Sequence, residues 1–178
     1  MFFLSVLDRF HEYKGLGHLL RALKVVKKEI KNVKLTVGGG GELTEYYKGI
    51  AHRLGLKDHV NFIGQIPENE LVKWYNRNEL FLLPSYSAEQ EGFGIVLLEA
   101  MACGVPVVTT NIVGMAEEIE KENAGIVITP TDAESLADAI VISLKNKKNG
   151  KNARKLAEKY DWGIRARDIS GVYSSLSS

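Results

Sequence analysis

Six short apolar runs, each followed by a stretch of helical spacing, constrain this fold more than any other feature. The runs are Phe2–Leu7, Val33–Val37, Val60–Ile63, Leu80–Leu83, Pro106–Thr109 and Gly125–Ile128. Each is too short for a helix and many of their residues are β-branched, so they read as strands. Between them, Leu16–Ile30, Glu42–Leu54, Glu68–Tyr75, Ile95–Ala102 and Met115–Glu120 carry apolar residues at helical spacing. Strands apolar on both faces, alternating with helices, imply a parallel sheet covered on both sides. The expected class is α/β, a doubly wound, Rossmann-like, six-stranded parallel sheet. Asp132 is placed to cap a helix running to about Lys145, and further helices are expected at Lys151–Tyr160 and Trp162–Leu176. The Lys- and Asn-rich stretch Lys145–Asn152 reads as a solvated connection.

With 178 residues, 45% of them hydrophobic, the chain has enough apolar material for one well-buried domain and too little for two. The 23 Lys and Arg nearly balance the 22 Asp and Glu, so no global field draws nucleic acid or a membrane, and any anion site must be local. One cysteine, Cys103, excludes a disulfide scaffold. The apolar start, Met1–Leu7, lacks a basic flank and meets Asp8-Arg9 far short of a spanning length, so it reads as a strand and the protein as cytoplasmic.

Ligands of open parallel sheets bind outside the carboxyl ends of the strands. The unusual residues fall there: Asp8 to Gly15 after the first strand, Gly38 to Glu42 after the second, Pro84 to Gly94 after the fourth. The opposite loops, such as Lys31-Asn32 and Arg77-Asn78-Glu79, are short and ordinary. Arg9 and Lys14 are either two solvated surface charges or a pair converging on one oxyanion, for which a diphosphate is suited. Gly38 to Gly41 form either a tight turn or a backbone that a phosphate or sugar can approach. They fit neither the dinucleotide fingerprint nor the P-loop.

The most informative segment is Glu91-Gly92-Phe93-Gly94-Ile95-Val96-Leu97-Leu98-Glu99. Gly92 and Gly94 stop where the helix starts, so the amides of Gly94, Ile95 and Val96 are expected to point outward as an anion site. Glu91 and Glu99 are candidates to face the ligand. Glu99 lies between Leu98 and Ala100, where a carboxylate without partners is costly. The bland alternatives are a dipole-complementing Glu91 and a solvated Glu99.

This E-x7-E pattern, with the Glu-Ala-Met-Ala-Cys-Gly-Val-Pro-Val-Val run from Glu99 to Val108, resembles family 4 of the retaining glycosyltransferases, of GT-B architecture. Arg9, Lys14-Gly15, Val37 to Gly41, Val60 to Gly64 and Leu83-Pro84-Ser85 extend the resemblance over nearly the whole chain. The chain departs from it at Leu7-Asp8-Arg9, where a Gly-Arg pair is usual. The resemblance implies that Arg9 and Lys14 bind the donor diphosphate, Glu99 the ribose hydroxyls and Glu91 the transferred sugar. It implies that Phe93 to Val96 touch sugar and phosphate through their amides and that Gly64, Gln65 and Ile66 line the base. Gly39, Gly40 and Gly92 complete the expected donor site, with Glu91, Arg9 and Lys14 as its catalytic residues. His11, Tyr13 and Gln65 are placed to tune donor choice, although such residues more often serve packing or solvation. The resemblance also implies one donor-binding domain over 1–178, with the N-terminal acceptor domain absent and the terminal helices forming a return crossover.

The implied reaction breaks the bond between an anomeric carbon and a diphosphate, with negative charge growing on the leaving oxygen and the ring becoming oxocarbenium-like. The chain has no Asp-x-Asp pair. Arg9, Lys14 and the Gly94 helix start are therefore expected to replace a metal, and no cofactor is expected beyond the nucleotide diphosphate sugar that serves as substrate. The acceptor, a sugar or lipid, is expected on the absent domain, which leaves peripheral membrane association of the complete enzyme open. The rival readings are a nucleotide-sugar-binding module without turnover, and a fragment of a sugar-nucleotide epimerase or phosphorylase sharing the architecture.

Overall fold

The structure, a computed structural model, describes residues 11–89, 91–130, 132–146 and 149–176 in full and 2–8 through the backbone. Strands and helices alternate as β1 (Phe2–Asp8), α1 (Leu16–Glu29), β2 (Val33–Gly39), α2 (Thr44–Arg53), β3 (Val60–Gly64), α3 (Glu68–Tyr75), β4 (Leu80–Leu83), α4 (Ile95–Ala102), β5 (Val107–Thr110), α5 (Ala116–Lys121), β6 (Gly125–Ile128), α6 (Ala133–Lys145), α7 (Asn149–Glu158) and α8 (Trp162–Leu176). The strands form one sheet in the order β3-β2-β1-β4-β5-β6, with every pairing parallel. The direction of winding reverses between β1 and β4, which opens a crevice at their carboxyl ends.

Short apolar strands suit this sheet because both of its faces are covered. Along β4, Leu80 and Leu82 pack into a core shared with α1, α2 and α6. Their neighbours Phe81 and Leu83 enter a second core with α3, α4, α5 and α7. All four are fully buried, and each contributes about 1.5–3 kcal/mol by leaving water.

Three departures from expectation have local causes. The β2 strand continues to Gly39 because β1 pairs with Gly38 and Gly39 as well. The helix after it starts at Thr44 rather than Glu42, since the Thr44 hydroxyl turns back to donate to the Gly41 carbonyl at 2.6 Å. Helix α7 starts at Asn149 instead of Lys151. Gly150 there packs so closely on the turn after α4 that a Cβ would sit 2.5 Å from the Gly104 carbonyl oxygen. Asp132 caps α6 as expected, accepting from the Glu134 and Ser135 amides at 2.9 Å each. Helix α8 buries none of its side chains. Among the described residues no helix is long and apolar enough to cross a membrane.

Candidate functional site

The loops leaving β1 and β4 meet at the crevice because a glycine permits it. Gly15 has φ 79°, and a Cβ on it would lie 2.0 Å from the Pro84 carbonyl oxygen. Only glycine lets the short 3-10 turn Glu12–Lys14 lie against Pro84 and Ser85. The Tyr86 amide donates to the Tyr13 carbonyl at 2.9 Å and fastens the contact. Gly94, before α4, has φ 81° and would place a Cβ 2.6 Å from Val113 Cγ1.

Lys14 is thereby set against Glu91, with Nζ 3.0 Å from Oε1 and 2.8 Å from Oε2. The Glu91 side chain is 3% exposed and that of Lys14 19%. A carboxylate this secluded needs further donors. It receives the hydroxyl of the fully buried Ser85 on Oε2 and the Gly92 amide on Oε1 at 3.2 Å. Ser85 is itself anchored, its carbonyl accepting from Thr110 Oγ1 at 2.6 Å, while Thr109 Oγ1 donates to the Leu83 carbonyl at 2.9 Å. The Gly114 amide holds the next turn by donating to the Gly92 carbonyl at 2.9 Å.

Helix α4 begins with the Leu97 amide donating to the Gly94 carbonyl at 2.8 Å. The amides of Gly94, Ile95 and Val96 precede the first intrahelical donor, so the helix start carries partial positive charge. Four residues beyond Ile95, Glu99 accepts from the Tyr75 hydroxyl on Oε2 at 2.8 Å. Burial, then the Glu99 charge and that hydrogen bond, push the Tyr75 hydroxyl far above the usual phenol range, so it stays protonated as a donor.

A cavity of about 590 Å³ opens between these loops, lined by His11, Tyr13, Lys14, Gly39, Gly40, Gln65, Ile66, Leu71, Val96 and Glu99. That volume is in the range of small-ligand sites. Seven residues expected in the site from sequence therefore share one cavity: Lys14, Gly39, Gly40, Gln65, Ile66, Val96 and Glu99. Nothing in its wall bars a ligand from Gly40, around which a Cβ would meet nothing within 4 Å. Glu91 is not part of that wall and sits behind Lys14. Gly64, Gly92, Phe93, Gly94 and Ile95 also lie outside the lining; Ile95 is exposed, and the exposed Phe93 ring rests 5.5 Å from Tyr160. Arg9 lies outside the described residues. His11 and Tyr13, whose rings stack at 5.6 Å, do reach the cavity. Leu71 and Tyr75 had no signal in the sequence beyond ordinary packing residues, and Ser85 entered only as part of the Leu83-Pro84-Ser85 resemblance, without a role.

A parallel sheet with a cavity at the reversal of its strand order is the architecture of a Rossmann-like nucleotide site. The chain belongs to the glycosyl transferases group 1 family, whose model matches residues 2–160. It is 34% identical over 165 residues to an uncharacterized glycosyltransferase of Methanocaldococcus jannaschii, covering 90% of this chain and 41% of that protein. Its fold matches sucrose-phosphate synthase of Thermosynechococcus elongatus with a TM-score of 0.86 and 29% identity, over 98% of this chain and 45% of the synthase. HepE of Anabaena, solved in complex with UDP-glucose, matches with a TM-score of 0.85 and 26% identity, over 98% of this chain and 49% of HepE. The chain thus spans less than half the length of each of these proteins.

Proposed function

We propose that this chain is the donor-binding domain of a retaining glycosyltransferase of family 4. In this reading the complete enzyme transfers a hexosyl group from a nucleotide diphosphate sugar to a sugar or lipid acceptor held by a second domain, and works in the cytoplasm. The observation that carries the reading is the meeting of Lys14, the first turn of α4 and Glu99 on one cavity. A cation and a helix start suit the diphosphate, and a carboxylate suits paired ribose hydroxyls. HepE, of the same fold, binds UDP-glucose in its solved complex.

Charge growing on the leaving diphosphate oxygen is met by the Lys14 ammonium and the α4 amides, with Arg9 joining them by resemblance, so transfer needs no metal. Glu91 fixes the Lys14 ammonium from behind and meets the transferred sugar only once that pair is rearranged. Binding without turnover is the expected behaviour of this chain by itself, because orienting donor and acceptor takes both walls of a cleft. Calorimetric titration with UDP-, GDP- and ADP-sugars tests the reading. One of them should bind, undiminished by EDTA, and Lys14→Ala should weaken it at least tenfold. Absence of binding to all three would sink the proposal.

A further inference from the structure

We propose that Tyr75 is a positioning residue for ribose recognition, holding the Glu99 carboxylate in one orientation before the nucleotide arrives. The inference rests on the donor-site reading of Glu99 and adds a residue outside the E-x7-E segment.

Glu99 is exposed on the cavity wall, where a free glutamate samples several rotamers. Its Oε2 is tied at 2.8 Å to a hydroxyl whose own place is set by the core. Tyr75 is 1% exposed. Its ring is clamped edge-on by Trp74 at 5.0 Å and Phe81 at 5.5 Å, and Phe81 is itself a fully buried residue of β4. The sheet therefore fixes the ring, the ring fixes the hydroxyl, and the hydroxyl fixes one carboxylate oxygen. Among the described residues no hydrogen bond engages Oε1, which leaves it to accept from a ligand. The arrangement removes rotamer freedom in advance, which is how preorganisation raises affinity without adding a contact to the ligand. Tyr75 lies outside the lining of the cavity, so it acts through Glu99.

The test measures binding of UDP, GDP and ADP, each against its 2′,3′-dideoxy counterpart, to the chain, to Tyr75→Phe and to Glu99→Ala. For the nucleotide that binds, the chain should favour the ribose form about tenfold, as expected for hydroxyls donating to a carboxylate. Glu99→Ala should erase that preference. Tyr75→Phe, which keeps the ring and its packing, should lower the preference about threefold or more and leave affinity for the dideoxy form unchanged. A tyrosine that serves packing only would instead weaken both forms alike or neither. If Glu99→Ala erases the preference and Tyr75→Phe preserves it, the role of Tyr75 is overturned while the donor-site reading stands. If no nucleotide binds, or the chain shows no preference for ribose, the reading of Glu99 fails and this inference fails with it.

Discussion

Glu91 and Glu99 belong to one short motif, yet their surroundings are opposite. Glu91 sits in a loop, 3% exposed, with Lys14, Ser85 and the Gly92 amide all donating to it. Glu99 sits on a helix, exposed on the cavity wall, with the Tyr75 hydroxyl on one oxygen. A carboxylate whose oxygens are already engaged is suited to hold another protein group in place. One that keeps an oxygen for solvent is suited to a ligand. In the proposed reading the motif thus divides its work, with the loop glutamate aiming the Lys14 cation and the helix glutamate keeping an oxygen for the nucleotide.

Breaking the loop glutamate should have the largest effect. Glu91→Ala strips Lys14 and Ser85 of their common partner. Losing one member of a mostly buried pair costs about 3–5 kcal/mol, reduced here because Lys14 keeps some contact with water. A fall of about 2–3 kcal/mol in urea denaturation is expected. In the complete enzyme, transfer should drop on the order of a thousandfold, as it should for Lys14→Ala. Near-normal rates for either variant would break the assignment.

Gly15→Ala attacks the same side of the comparison from the backbone. The added methyl at φ 79° collides with the Pro84 carbonyl, so the Lys14 turn must back away from Ser85 and Glu91. A loss of about 2–4 kcal/mol is expected from strain at a position reserved for glycine. Nucleotide affinity should fall with it, and an unchanged denaturation midpoint would show that the two loops are not locked together. Glu99→Gln should do the reverse. An exposed helix position tolerates the change within about 0.5 kcal/mol, while affinity for the nucleotide falls about tenfold. If stability and affinity moved together in both variants, the division of labour between the two glutamates would be lost.

Much of this was legible in the chain, for physical reasons. The bounds of β4, β6, α3, α4 and α8 coincide with the segments read from sequence, the first four because their apolar residues meet a core. Glu99, between Leu98 and Ala100, is exposed as the plainer of its two readings had it, yet it also has a partner in Tyr75. That partner was hidden, because a tyrosine on an amphipathic helix looks like core whether or not its hydroxyl is used. The Leu83-Pro84-Ser85 resemblance marked Ser85, but not its hydrogen bond to Glu91. The place of Glu91 behind Lys14 could not be read from spacing, since it depends on loops distant in sequence that come into contact where Gly15 lies against Pro84. Gly150 misled in the opposite sense: it reads as a connection and lies inside a helix, where close approach to the turn at Gly104 requires it.

A third carboxylate extends the comparison at its mildest end. Asp132 is held by backbone amides, those of Ser135 and Glu134, and these keep its carboxyl below the ordinary value of 3.8. A folded-state value lowered in this way means that the cap stabilises the protein fully above that pH. The contribution is lost as the pH falls through the lower, folded value. Asp132→Asn retains an oxygen that can accept the same bonds but has no charge to lose. Melting temperatures of the two proteins, followed from pH 6 to about pH 2.5, should therefore converge as the acid limit is approached, with wild type slightly ahead at pH 6 through its charge at the α6 start. Parallel curves over the whole range would mean that the charge on Asp132 adds nothing to the cap, leaving the hydrogen bonds to account for it.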